Sequence, residues 1–246
     1  MKFKILENRP INGTTYLLRL QGDTSTLTRP GQFVNISVPG FLLRRPISVA
    51  DYKDGEMLLV YEVVGHGTER MAEFKPGDEM DILSGLGNGF DPEVGAKHPL
   101  LIGGGIGVAP LYGLAKALLE RGVDPVAVLG YNNKEKVVMD DMFRDLGIRT
   151  LVATMDGSVG TKGFATDAIR EAGITDGDYF YACGPMPMLK ALGKTFPLPG
   201  ELSLDVRMGC GFGACAGCAI KTTNGFAGVC KAGPVFKKEV VLWDEL

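Results

Sequence analysis

The chain has 246 residues, of which 26 are basic and 29 acidic, giving a formal net charge of −3. Without a basic surplus or a run of like charge, neither nucleic acid nor an anionic membrane is an expected partner, which leaves proteins and small molecules. Hydrophobic residues at 45% and charged residues at 22% exclude disorder and fibrous repeats, and the length suits two ordinary domains with a small appendage.

The opening MKFKILENRP lacks the apolar stretch of a signal peptide, and no segment reaches the roughly 18 consecutive apolar residues of a membrane span, so the cytoplasm is the expected location. From residue 1 to 97, short β-branched and alternating segments are separated by Gly, Pro and Asp turns; examples are Thr15 to Leu20, Phe33 to Val38 and Met57 to Val63. This pattern predicts an antiparallel β-barrel or sandwich. Two of its segments carry groups suited to phosphate. Leu43-Arg44-Arg45-Pro46-Ile47-Ser48 offers guanidinium groups, and Val60-Tyr61-Glu62 followed by Val63-Val64-Gly65-His66-Gly67-Thr68 offers turn amides and a hydroxyl. A solvated arginine pair and a hairpin turn would account for the same residues, with His66 as a turn residue.

Between residues 98 and 200, apolar strands alternate with helical stretches: PLLIGGG before VAPLYGLAKALLERG, VAVLGY before a polar helix near Met139 to Leu146, and YFYACGP before MPMLKALGKTF. Such alternation predicts a Rossmann-like parallel α/β domain with helices on both faces. The turn Gly103-Gly104-Gly105-Ile106-Gly107 would let backbone amides approach a pyrophosphate, and Pro110 suits the first turn of the following helix. The spacing does not satisfy G-x-G-x-x-G, so a bare tight turn fits equally well. Asn132-Asn133-Lys134 supplies neither an acidic residue for a ribose 2'-hydroxyl nor an arginine cluster for a 2'-phosphate. Cys183, in YACGP, reads by itself as a small buried residue.

From 201 to 246 the sequence is rich in glycine and cysteine and poor in core residues until VVLW, so a bound inorganic centre is expected to organise it. Cys210, Cys215, Cys218 and Cys230 follow C-x4-C-x2-C-x11-C, whose first three positions match the plant-type [2Fe-2S] run. Gly209, Gly211, Gly213 and Gly217 would let backbone amides come close to sulfur. Zinc also takes four thiolates, but zinc sites usually pair two C-x2-C knuckles, and disulfides are poor candidates in a reducing compartment.

Read in order, RPIS, VGHGT, GGGIGVAP, CGPMPM, CGFGACAGC and CKAGPVF, with GLGNGF at Gly85 to Phe90, resemble the ferredoxin-reductase superfamily joined to a C-terminal [2Fe-2S] module. More closely, the chain resembles the electron-transfer subunits of NAD-dependent dihydroorotate dehydrogenases, the iron-sulfur flavoproteins of pyrimidine biosynthesis. The resemblance implies an FAD-binding barrel over 1–97, an NAD-binding domain over 98–200 and a cluster module over 201–246. It implies that Arg45, Pro46, Ile47, Ser48, Val60, Tyr61, Glu62, Gly67 and Thr68 contact FAD. Gly103, Gly104, Gly105, Gly107, Cys183, Gly184 and Pro185 would face NAD(H), and Cys210, Cys215, Cys218 and Cys230 would bind the cluster. Ile47 stands where the wider superfamily has tyrosine. The implied path runs from NADH through FAD and the cluster to an FMN-containing subunit that oxidises dihydroorotate to orotate, in a two-plus-two heterotetramer, with no acid or base catalyst in this chain. Electron-transfer subunits of sulfide dehydrogenases, ferredoxin:NADP oxidoreductases or hydrogenase diaphorases share these modules. A redox sensor without turnover is the reading from another class.

Overall fold

In the computed structural model, which describes residues 1–246, period-two alternation closes the first third of the chain on itself. Strands β1 (Lys2–Pro10), β2 (Thr15–Gln21), β3 (Phe33–Ile36), β4 (Arg45–Lys53), β5 (Glu56–Glu62) and β6 (Glu79–Leu86) form a closed antiparallel barrel in the order β1-β2-β5-β4-β3-β6. Phe3, Ile5, Leu18, Leu20, Val34, Met57, Leu59 and Tyr61 fill its interior. Alternate residues of the same strands face outward. Two of these, Ala50 of β4 and Val60 of β5, enter the core of the neighbouring domain, so the pleat of two strands joins the domains.

The helix α1 (His66–Ala72) lies between β5 and β6, where the sequence predicted a turn. Thr68 supplies the reason: its hydroxyl accepts hydrogen bonds from the Val64 and Gly65 amides (2.9 and 3.2 Å) and donates to the Gly65 carbonyl (2.9 Å), which caps a helix start.

The second domain runs through β7 (Pro99–Gly104), α2 (Ala109–Leu119), β8 (Val126–Tyr131), α3 (Asp140–Asp145), β9 (Thr150–Thr154), β10 (Thr161–Lys162), α4 (Ala165–Glu171), β11 (Tyr179–Cys183), α5 (Met186–Thr195) and β12 (Gly200–Ser203). Its strands are parallel, in the order β10-β9-β8-β7-β11-β12, and both faces are covered. Burial explains the continuous apolar runs. In β7, Leu100 and Ile102 enter the core with α4, α5 and the C-terminal segment, while Leu101 enters the core with α2 and the barrel.

The sheet continues past residue 200. Strand β12 pairs with β11 from Gly200 to Ser203, and the edge is taken by β15 (Val235–Lys237), which runs antiparallel to β12. Between them lie the cysteine loop, the hairpin β13 (Ala219–Thr222) and β14 (Gly225–Gly228), and the short α6 (Val229–Ala232). Cys218, Ile220, Val229, Cys230, Phe236, Val241 and Trp243 pack into the same core as Phe33 of the barrel and Phe180 of the sheet. The cysteine-rich segment is thus seated on both domains.

Candidate functional site

Antiparallel pairing decides which way the barrel motifs face. Phe33 pairs with Ser48 and Asn35 with Pro46, so these four side chains share one face; Val34 pairs with Ile47 on the other. Phe33 packs in the core that holds Cys218 and Cys230, which places the Pro46 and Ser48 face toward the cysteine module. Ile47 instead packs against the barrel core. On β5, Tyr61 is buried inside the barrel, stacked on Tyr16 with centroids 5.6 Å apart, and its hydroxyl donates to Asn8 Oδ1 at 3.1 Å. Val60 and Glu62 face outward. Arg45 lies 4.7 Å above the Phe41 ring, donates to the Leu43 carbonyl and closes against Gly67, where any side chain would strike its guanidinium. The structure therefore brings Arg45 and Gly67 together at the start of α1.

Parallel pairing of β7 with β11 sets Cys183 opposite Gly103. Gly103 and Gly104 end β7, and Gly105 to Gly107 form a 3-10 turn ahead of α2, rather than a direct strand-to-helix turn. A Cβ on Gly107 would stand 2.5 Å from the Cys183 carbonyl oxygen and 2.6 Å from Gly184 Cα. One on Gly104 would meet Met188 Sδ at 2.7 Å and Pro185 Cδ at 2.8 Å. The missing side chains let the glycine loop and the Cys183-Gly184-Pro185 corner merge into one surface at the carboxyl ends of the strands, where α/β sheets bind nucleotides. Cys183 shares its core with Ala50 and Val60 of the barrel. Burial pushes its thiol up to about 12, against a hydrogen bond from Ser203 that works downward.

The four cysteines of the C-terminal loop are free thiols. The thiols of Cys210 and Cys215 act on each other, as do those of Cys218 and Cys230, and Cys210 is felt at Cys230 as well, so the four lie in one neighbourhood. No three His, Cys, Asp or Glu side chains converge on a single ion-sized point. Four thiolates suit a dinuclear cluster, two to each iron. Backbone amides of Phe212, Cys215 and Ala214 directed at Cys210 lower its thiol to about 6, the Ala214 bond measuring 3.2 Å. Burial, reinforced by Cys218, raises Cys230 to about 11. The Cys230 amide donates to Cys218 Sγ at 3.4 Å, so amides aimed at sulfur are already in place in both pairs.

Several residues that build this site have roles that no local motif reveals. Asn35 Nδ2 donates to the Cys210 carbonyl at 3.0 Å, joining the barrel to the first cysteine. Asn88 donates to the Ala232 and Val235 carbonyls (3.2 and 2.8 Å) and accepts from the Val235 amide (3.1 Å), so GLGNGF anchors the segment after Cys230. Lys136 Nζ reaches Glu62 (2.6 Å) and Thr14 Oγ1 (2.9 Å), and Lys116 of α2 pairs with Asp51 of β4. Glu62, expected at a flavin, is thereby engaged in a bond between domains. Only long-range pairing selects these four residues from among other polar residues of the same types.

Comparison with known proteins agrees with this geometry. The family described as "Iron-sulfur cluster binding domain of dihydroorotate dehydrogenase B" matches residues 205–242, and the "Oxidoreductase NAD-binding domain" matches residues 101–194. The "Dihydroorotate dehydrogenase B (NAD(+)), electron transfer subunit" of Geobacillus sp. (strain WCH70) is 46% identical over 97% of both chains. The protein of the same description from Fusobacterium nucleatum is 44% identical over 94% of this chain and 93% of its own. Among solved structures, one described as the "NADH-dependent reduced ferredoxin-NADP oxidoreductase" of flavin-based electron bifurcation superimposes with a TM-score of 0.89 at 35% identity, covering 99% of this chain and 91% of that one. A ferredoxin NADP+ reductase from Neisseria gonorrhoeae, solved with FAD and NADP, shares the fold with a TM-score of 0.67 at 18% identity over 77% of this chain and 87% of that one. With barrel, nucleotide sheet and paired cysteines in one frame, the chain is an oxidoreductase belonging to the family of dihydroorotate dehydrogenase B electron transfer subunits.

Proposed function

We propose that this chain links a nicotinamide nucleotide to an FMN-containing subunit that oxidises dihydroorotate to orotate, in a complex with two copies of each subunit. The observation that carries the reading is the gathering of four thiols in a segment that Asn35 bonds directly to the strand opposite the flavin motif. When bound, FAD would exchange a hydride with NAD(H) and the [2Fe-2S] cluster would exchange single electrons, joining two-electron to one-electron chemistry.

The chain's own residues bind, orient and exclude water. Pro46 and Ser48 present the flavin face of β4; Ile47 and Tyr61, whose side chains belong to the barrel core, offer only backbone. Arg45 and Gly67 receive the pyrophosphate. Thr68 holds the start of α1, with its hydroxyl spent on the cap, while Val60 and Glu62 close the edge toward the nucleotide domain. Gly103, Gly104, Gly105, Gly107, Gly184 and Pro185 admit the nicotinamide nucleotide. Cys183, neutral at physiological pH, packs beside it as a small apolar wall. Cys210, Cys215, Cys218 and Cys230 ligate the irons. The division into flavin, nucleotide and cluster parts at residues 97 and 200 is part of this reading, with β12 as the strand shared by the last two.

Electron balance sets the direction. Oxidation of dihydroorotate releases two electrons, so net flow through such a complex ends at NAD+, the reverse of the NADH-to-partner path expected from the sequence. Anaerobic absorbance spectra with iron and acid-labile sulfide assays, before and after NADH, test the internal path: flavin and cluster bands should bleach. Flavin without iron in anaerobically prepared protein would refute it. Co-purification with an FMN-containing subunit, followed by light scattering, tests partner and stoichiometry. A second reading, a ferredoxin:NADP oxidoreductase subunit, is favoured by the 35% identical structure and would be supported by a partner carrying other redox groups.

A further inference from the structure

Asn35 is 1% exposed, in the middle of β3, and is cross-strand partner to both Pro46 of the flavin motif and Leu83 of β6. A buried amide must find partners for its N–H groups and its oxygen. Its Nδ2 donates to the Cys210 carbonyl across 175 residues of chain. Gly211, with φ of +78°, comes so close that any side chain there would strike Asn35 Nδ2. Its Oδ1 is buried without a protein partner, as is Ser84 Oγ on β6. Ser84 lines an apolar cleft with Met1, Leu83, Leu86 and Phe212, the last from the cysteine loop itself. The flavin strand, the cysteine loop and an unsatisfied acceptor therefore meet at one side chain.

We propose that Asn35 is a positioning residue that sets the placement of the Cys210 side of the cluster relative to the flavin-bearing face of β4, and so the rate at which electrons cross between them. The inference rests on the FAD and cluster reading above. Leucine at this position keeps the branching and the number of side-chain heavy atoms, though it is bulkier, and removes both the N–H donor to Cys210 and the acceptor. NADH supplies two electrons; the cluster accepts one of them, and an added one-electron acceptor such as ferricyanide takes the excess.

The test uses the full-length holoprotein prepared anaerobically, as wild type and Asn35→Leu, with flavin and iron contents measured first. In anaerobic stopped flow against NADH, flavin bleaching should keep its wild-type rate, while reduction of the cluster, read by its absorbance and by freeze-quench EPR, should slow about tenfold or more, as loss of an outer-shell partner does at other metal centres. The cluster EPR spectrum and midpoint potential should shift as well. Unchanged cluster reduction and potential in fully loaded Asn35→Leu would overturn the proposal, as would equal slowing of flavin bleaching. Loss of iron with flavin retained would overturn it too, since Asn35 would then be a structural anchor. If Asn35→Leu does not fold, Asn35→Ser is judged by the same criteria. Wild-type protein lacking flavin or iron would instead refute the underlying reading.

Discussion

Cys183 and Cys210 show how two thiols of one chain acquire opposite characters. Burial holds Cys183 up to about 12, while amides directed at sulfur bring Cys210 to about 6. Only the thiolate is nucleophilic, so the raised pKa and the burial of Cys183 both keep it unreactive at pH 8. In the holoprotein, iodoacetamide should leave Cys183 unlabelled for hours at pH 8 and label it promptly after unfolding; peptide mass spectrometry reads the outcome, and rapid labelling of the folded state would contradict it. Gly107 makes a second residue-level case. The atoms its Cβ would meet are backbone, 2.5 and 2.6 Å away, and backbone cannot swing aside as a side chain does. Gly107→Ala should cost about 1–3 kcal/mol of stability and raise the KM for NADH more than it lowers kcat, measured by thermal unfolding and by NADH-ferricyanide kinetics. The glycine loop and the cysteine spacing were both legible in the sequence because local chain geometry governs them. The contact of Gly107 with Cys183 was not, since it depends on β7 and β11 becoming neighbours.

At the scale of elements, the barrel and the nucleotide sheet are joined by an apolar seam and two ion pairs. Glu62 illustrates the balance: burial raises its carboxyl, but the Lys136 and Thr14 hydrogen bonds and the Lys136 charge outweigh it, and the result lies below the ordinary 4.5. A depressed folded-state pKa stabilises above the unfolded value and loses that contribution as pH falls through the folded one. Lys136→Met should therefore reduce stability by under about 1 kcal/mol, because both partners are partly exposed. The deficit against wild type should be constant above the ordinary carboxylate value of 4.5 and fade as pH falls below it through the depressed folded-state value, followed by thermal unfolding across that range. Trp243, the one tryptophan, is buried against Gly193 of α5, and its indole N–H donates to the Lys238 carbonyl at 2.8 Å. Trp243→Ala should cost about 3–5 kcal/mol, readable in urea unfolding as a lowered midpoint. The sequence marked VVLW as core material; that α5 is its seat depended on the fold.

For the whole molecule, the segment from Asp205 to Gly217 has no regular secondary structure and is mostly exposed past Gly211, and it touches the rest of the chain through Val206, Met208 and Asn35. Removing iron with an acid or mersalyl step under argon should leave the barrel and sheet folded while trypsin cuts after Arg207. Holoprotein should resist that cut. Equal resistance in both forms would show that the loop needs no cluster. No helix of the chain is long and apolar enough to cross a membrane.

The barrel, the α/β alternation, the capacity for a four-cysteine centre and the order of the motifs were determined by the sequence alone, because they depend on period, spacing and residue type within short windows. Tertiary structure decided the rest. It turned Tyr61 and Ile47 into the barrel, carried the sheet through β12 to β15, seated the cysteines against both domains and set Asn35 between flavin strand and cluster loop. The facing of Tyr61, Ile47 and Asn35 depends on which strands pair and in what register, and a one-residue shift would send each of those side chains to the opposite face.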